Sequence, residues 1–297
     1  MNPSAPDNPA ERLCVALAPS PVRSPAPPPG AQEDATRQLL QTAADAGVRR
    51  VTSRPEGEVE RLLGQAWPFP SPFRVDVRTV AISEGLDRVE ARARRSLEHM
   101  GLPRGETLFV GRASDLAGAE GRAMWDRLER LKAQGLFRKL GICAGPEDSP
   151  ALLARRYAPD AMRVPCSLLD QRALRTGTLE ALAAMDLEVQ VSAVFAHGLL
   201  FGAVDLAPQG ADMLALSRVR RRLAEARLDP MQAGLSFGLD LPGRPLLVTS
   251  VASAAELRAM LAAAHGLRSH AGLDWAGFAL DAEAAQALSA PRAASAA

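Results

Sequence analysis

"VTSRPEGEVERLLG", residues 51–64, is the stretch on which the fold of this chain turns. It reads as a strand end running through a turn into a helix, with Pro55 and Gly57 punctuating the change. Outward in both directions the same transition repeats. Short runs rich in Val, Leu and Ile mark strands at 13–18 (LCVALA), 48–53 (VRRVTS), 73–80 (FRVDVRTV) and 106–111 (ETLFVG). They continue at 139–144 (KLGICA), 161–166 (AMRVPC), 187–195 (LEVQVSAVF) and 245–251 (PLLVTSV). Between them lie helical patterns: Leu86, Val89, Ala93 and Leu97 share one face, and Trp125, Leu128 and Leu131 mark another. Eight strands alternating with helices over roughly 250 residues predict an α/β fold, a (β/α)8 TIM barrel. A doubly wound open sheet would normally carry a G-x-G-x-x-G turn after an early strand, and the sequence has none.

Composition sets the frame around that pattern. The 297 residues are 47% hydrophobic, and 35 basic residues balance 34 acidic ones, so net charge gives no reason to expect nucleic acid or anionic lipid. Cys14, Cys143 and Cys166 lie far apart with no C-x-x-C pair, which argues against disulfides and a zinc site. The four histidines, His99, His197, His265 and His270, show no metal-ligand spacing. "MNPSAPDNPAERL" has no basic segment followed by an apolar run, so a cytoplasmic protein without a signal peptide or membrane span is expected. One domain over 1–297 is expected, with 1–10 and 291–297 disordered.

Two regions depart from the alternation. "APSPVRSPAPPPGAQED" (18–34) holds six prolines. It reads either as a proline-stiffened loop or as an extended arm that covers a site or meets a partner. "GLDWAGFALDAEAAQALSA" (272–290) predicts a helix beyond the eighth unit, packing Trp275, Phe278 and Leu280 on the barrel. The basic run at 218–227 sits on a helical pattern with Leu223 and Leu228 on the buried side, and is expected to be a solvated face.

The opening stretch also carries a resemblance. Thr52, Gly57, Glu60, Leu63 and Gly64 are similar to the D-T-A-x-x-Y-G-x-x-E-x-x-L-G pattern of the aldo-keto reductases. "RARRSLEHMGLPRGETLFVGRASDL" (92–116) resembles the family's helix and fourth strand, and "WDRLERLKAQGLFRKLGICA" (125–144) its W-x-x-L-x-x-L-x-x-x-G-x-x-R-x-x-G-V-S-N segment. Similar stretches follow at 164–191 and 229–261, in the family's order. The family reduces carbonyls with a nicotinamide, using a Tyr that gives a proton, a Lys and an Asp that tune it, and a His that orients the substrate. Matched position by position, the Asp falls at Val51, the Tyr at Glu56, the Lys at Arg78 and the His at Gly111, so no catalytic residue is expected to remain. The single tyrosine, Tyr157, is placed in the helix after strand five, away from the face where such barrels do chemistry. An Arg78–Glu56 ion pair filling the old site is expected. Glu56, Arg78, Asp76 and His197 are the side chains from which a new chemistry would have to be rebuilt.

What the resemblance implies for a cofactor is mixed. Cys143, Ala144 and Arg163 stand where the family holds the nicotinamide carboxamide, and Ser192 where an aromatic ring stacks. "FAHGLLFG" (195–202) keeps the loop after strand seven, with Phe195, His197, Gly198 and Leu199 beside the pyrophosphate. In the last loop Ser250, Val251 and Ser253 are expected at the adenosine phosphates. Glu256 reads either as an exposed helix residue or as a carboxylate that favours NAD(H) over NADP(H). Three functional readings remain: a non-catalytic NAD(H)-binding regulator, a degenerate interaction scaffold, and an enzyme with rebuilt chemistry. Tetrad-less members of this family that regulate bacterial division are similar to the first, and imply partners of the FtsZ and sensor-histidine-kinase kinds. The loop 19–34 and the basic helix 220–228 are the candidate partner surfaces.

Overall fold

A computed structural model describes residues 8–17, 30–55, 57–202, 213–266 and 273–289. Its strands are β1 (Leu13–Leu17), β2 (Arg50–Ser53), β3 (Arg74–Arg78), β4 (Gly105–Val110), β5 (Phe137–Cys143), β6 (Ala161–Pro165), β7 (Glu188–Ser192) and β8 (Leu246–Val251). Each pairs in parallel with the next, and β8 returns to β1 from Leu13–Leu247 to Leu17–Val251, closing the barrel. The open-sheet alternative is thereby excluded.

The strands close because their two faces differ. Val15, Val51, Val77, Leu108, Val164 and Leu247 alternate outward into one hydrophobic layer beneath the helices, each fully buried. Burying an aliphatic side chain of this size stabilises by about 1.5–3 kcal/mol, and β-branched residues suit a pleated surface. The helices that cover this layer are α1 (Ala31–Asp45), α2 (Gly57–Ala66), α3 (Leu86–His99), α4 (Gly118–Ala133) and α5 (Pro150–Tyr157). They continue as α6 (Arg172–Arg175), α7 (Thr178–Ala183), α8 (Met213–Glu225), α9 (Pro230–Leu239), α10 (Ala254–His265) and α11 (Ala282–Ser289).

The opening stretch folds as strand, turn and helix. Glu60 of α2 is wholly buried, held by Arg92 Nη2 at 2.5 Å and His99 Nδ1 at 3.3 Å, both on α3. Gly64 lets the two helices touch: a Cβ there would stand 2.5 Å from the His99 carbonyl oxygen.

Both ends differ from the sequence reading. Asn8 to Ala10, expected outside the ordered fold, enter a single 3-10 turn, Pro9–Arg12. Asn8 Oδ1 accepts from Ala10 N at 3.1 Å, and Asn8 Nδ2 donates to the Ala46 carbonyl at 3.1 Å. Ala10 is completely buried. The extra C-terminal element is a 3-10 turn, Trp275–Phe278, followed by α11, rather than one helix. Trp275 meets Phe237 edge-on at 6.4 Å, and Phe278 and Leu280 are buried as expected. Of the proline-rich segment, 18–29 lies outside the described residues, as does 290–297; its end at 31–34 is the first turn of α1 and not a loop. Leu223 of α8 is buried and Arg220 donates to the Leu199 carbonyl at 2.9 Å, so part of the basic face is held against the barrel. Among the described residues no helix is long and apolar enough to cross a membrane.

Candidate functional site

The inward faces of the strands build a lumen with an unusual filling. Arg50 Nη1 donates to Asp76 Oδ1 and its Nη2 to Glu188 Oε2, both at 2.8 Å. Lys139 Nζ shares Glu188 Oε2 at 2.8 Å. Gln190 Nε2 bridges Asp76 Oδ2 at 2.9 Å and Glu188 Oε1 at 2.8 Å. Arg163 completes the network, donating to Gln190 Oε1 at 2.6 and 2.9 Å and to Thr52 Oγ1 at 3.2 Å, with Asp76 Oδ2 at 3.5 Å. Its guanidinium carbon lies 4.2 Å from the Phe109 ring centroid, a cation–π contact. Gly141 makes room for that ring, since a Cβ would stand 2.4 Å from it.

Charges this deep persist only when paired. Burial pushes the Glu188 carboxyl up, but Arg50, Lys139 and Gln190 outweigh it and hold the pKa below the ordinary value. Burial disfavours the Arg50 cation, and Asp76 and Glu188 more than offset that. Cys14, wholly buried beside the network, is held as a thiol first by burial and then by Asp76.

This network reassigns three expected site residues. Arg163 is not free to meet a carboxamide: a guanidinium at this depth needs an anion, and Asp76 supplies it. Asp76 has no exposed surface and is committed to the two arginines and Gln190, so it is closed to rebuilt chemistry. Val51 points away from the lumen into the hydrophobic layer, opposite Arg50 and Thr52, because side chains alternate along a strand. The matched Asp position therefore has no side chain in the barrel.

Above the network lies the C-terminal rim. Arg78 ends β3 and Gly111 follows β4, and the structure brings them together: Arg78 Nη2 donates to the Gly111 carbonyl at 3.0 Å. The Gly111 N–H donates in turn to Thr79 Oγ1 at 3.1 Å, and a Cβ at 111 would stand 3.0 Å from the Thr79 carbonyl. Glu56 lies outside the described residues, and among those described Arg78 has no carboxylate partner. Asp115, in the turn after β4, is buried with Oδ2 unpartnered; burial raises its carboxyl pKa despite the Ile82 backbone and Arg112.

The opposite side of the rim holds the remaining expected residues. Ala193, Ala196 and His197 adopt positive φ of 57°, 47° and 57°, and Gly198 follows at 89°. Such conformations cost about 1–3 kcal/mol each away from glycine and gather where a loop has a task. The loop is anchored by Phe195, whose ring lies 5.1 Å from that of Phe201 and against Gly234 of α9. Leu199 and Val251 are buried in the hydrophobic layer, so only their backbone can face a ligand. Ser192 is half-buried, and its carbonyl accepts from Cys166 N at 3.1 Å. Ser250 is exposed at the end of β8. Ser253 caps α10, accepting from Glu256 N at 3.1 Å, while Glu256 Oε2 accepts from Ala252 N at 2.7 Å. The helix end expected to take a phosphate thus carries its own carboxylate.

No family model matches the sequence, and no curated protein matches it. Solved structures do. The aldo-keto reductase AKR11C1 of Bacillus halodurans, in its holo form, superposes with a TM-score of 0.67 at 15% identity, over 94% of this chain and 91% of that one. A putative aldo-keto reductase from Pseudomonas aeruginosa gives 0.60 at 19% identity, over 84% and 88%. The barrel has the aldo-keto reductase fold.

Within that fold, the hydroxyl of the single tyrosine is already committed. Tyr157 ends α5 on the outer ring, is buried against Trp125 at 5.3 Å between ring centroids, and donates its hydroxyl to the Leu116 carbonyl at 2.7 Å. The lumen network escaped the sequence reading although its signal is present. Arg50, Asp76, Lys139, Arg163 and Glu188 all fall on one parity of strands whose other parity is aliphatic.

Proposed function

We propose that this barrel binds NAD(H) without reducing carbonyls and acts as a regulator through protein partners. The observation that carries the reading is the one tyrosine, locked on the outer ring by its bond to Leu116. With it goes the acid that the aldo-keto reductase resemblance requires. The lumen below the rim offers no substitute, since its acids, Asp76 and Glu188, are committed to Arg50, Lys139 and Gln190.

The residues present fit a dinucleotide unevenly. The left-handed turn at 196–198 keeps a backbone shape suited to a diphosphate, with Gly198 leaving room for close approach. The nicotinamide end lacks its usual donors, because Arg163 is spent in the lumen and position 143 is a cysteine. Glu256 at the start of α10 opposes a further phosphate and favours NAD(H) over NADP(H). When bound, a nicotinamide would supply hydride; this chain's own residues would hold its diphosphate and carry no proton to a substrate. Partner proteins of the FtsZ division type and a sensor histidine kinase follow from the likeness to the division regulator KidO, a cytoplasmic reductase homologue.

Titration of the full chain with NADH, NADPH and ADP-ribose, followed by heat, tests the reading. NADH and ADP-ribose should bind at micromolar concentration and NADPH more weakly, with no turnover against a panel of carbonyls. Absence of all three would leave a degenerate scaffold. Turnover abolished by Glu56→Gln or Arg78→Met would instead establish rebuilt chemistry.

A further inference from the structure

The β2–β4 sector of the rim carries cations that the fold does not neutralise. Arg54 follows β2, Arg78 ends β3 and Arg112 follows β4, on three strands that are neighbours in the barrel. Buried arginines elsewhere sit against acids: Arg50 on Asp76, Arg92 on Glu60 and Arg163 on Asp76. The rim set does not. Arg78 is half-buried, yet its guanidinium bonds only to the Gly111 carbonyl, and neither Arg54 nor Arg112 forms an ion pair with a described residue. Arg78 feels its neighbours. Cys143, at the end of β5, would raise its pKa, but burial and the charges of Arg163, Arg54 and Arg112 together lower it. Asp115, the described acid that feels the charge of Arg112, is buried, and burial favours its neutral form.

A cation kept partly out of water beside like charges is costly, and a bound anion relieves that cost. Guanidiniums offer paired N–H donors that match the oxygens of carboxylates and phosphates. We propose that Arg54, Arg78 and Arg112 form a binding site for a small dianion, a dicarboxylate or a phosphate monoester, at the C-terminal mouth of the barrel. Arg78 is the half-buried member, and Arg54 and Arg112, exposed at the ends of the two neighbouring strands, lie near enough for their charges to act on it. The site lies across the mouth from the loop assigned to the dinucleotide and does not depend on that assignment.

The test is a calorimetric titration of the full chain, without nucleotide, at constant ionic strength. The probes are succinate, inorganic phosphate and, as monoanion, acetate. Saturable binding of succinate or phosphate is expected, at least tenfold tighter than acetate, and the tighter of the two identifies the ligand class. Arg78→Met should remove it, and Arg54→Gln and Arg112→Gln should each weaken it several-fold. Arg258→Gln, an exposed arginine of α10, should change nothing. Because Arg54 and Arg112 are exposed, their variants report on the site even if Arg78→Met fails to fold. Equal binding by all variants would show a nonspecific effect. The absence of saturable binding to wild type would overturn the proposal.

Discussion

The floor and the rim of the same barrel treat charge in opposite ways. In the lumen, each of Arg50, Lys139 and Arg163 meets an acid or amide within 3 Å. A few residues along the same strands, Arg78 meets only a backbone carbonyl, and Arg54 and Arg112 pair with no described acid. Desolvation explains the difference. Around Asp76 and Arg163 the floor is closed to water, so an unpaired charge there would cost several kcal/mol, whereas the rim opens to water and tolerates uncompensated cations. Charges that hold a fold are paired inside the chain; charges left unpaired at the face where barrels bind ligands are free to meet one.

The comparison can be broken most directly at Asp76. Asp76→Ala would leave Arg163 with no acid and Arg50 with Glu188 alone, and should cost about 3–5 kcal/mol, read as a lower urea midpoint. A loss below about 1 kcal/mol would mean that water enters the floor and that its sealing is illusory. Glu188→Gln should cost less, about 1.5–3 kcal/mol at neutral pH, because the acid is partly exposed and its loss affects Lys139 and one arm of Arg50. Its pH dependence has a definite sign. The folded carboxyl titrates below its unfolded value, so its contribution is complete above an unfolded pKa of about 4.3. That contribution disappears as pH falls through the folded value, and the gap between wild type and variant should narrow on acidification. A constant gap would show that packing, not charge, is being measured.

Ser253→Ala removes the cap of α10 and should cost about 1 kcal/mol in chemical denaturation. At the rim the expected effect is the smallest. Arg54→Gln and Arg112→Gln should each change stability by no more than about 0.5 kcal/mol in the same assay. A larger loss from either would show that the rim cations, like those of the floor, belong to the fold.

The sequence reading fared differently in these two regions for a physical reason. The fold was legible because it rests on local periodicity: all eight strands lie where runs of Val, Leu and Ile stand, and Tyr157 lies on the outer ring as its helix implied. The rim was partly legible. Arg78 and Gly111 meet there, but Val51 faces the helices, because side chains alternate along β2 and Arg50 and Thr52 take the inward positions. Arg163, matched to a cofactor contact, belongs to the floor. Its partners Thr52 and Asp76 are 111 and 87 residues away, so no local pattern names them.

By itself the sequence determined the alternation of strand and helix, the aliphatic parity that must face the helices, and the lack of a second tyrosine to serve as proton donor. Only the tertiary structure decided which polar residues meet inside the closed ring. It joined Arg50 to Glu188 across 138 residues, turned Glu256 back onto the start of its own helix, and left Arg78 facing the mouth without an acid beside it among the described residues. Periodicity is a property of neighbours along the chain, whereas the pairing of buried charge depends on closure, register and depth, which exist only once the barrel has formed.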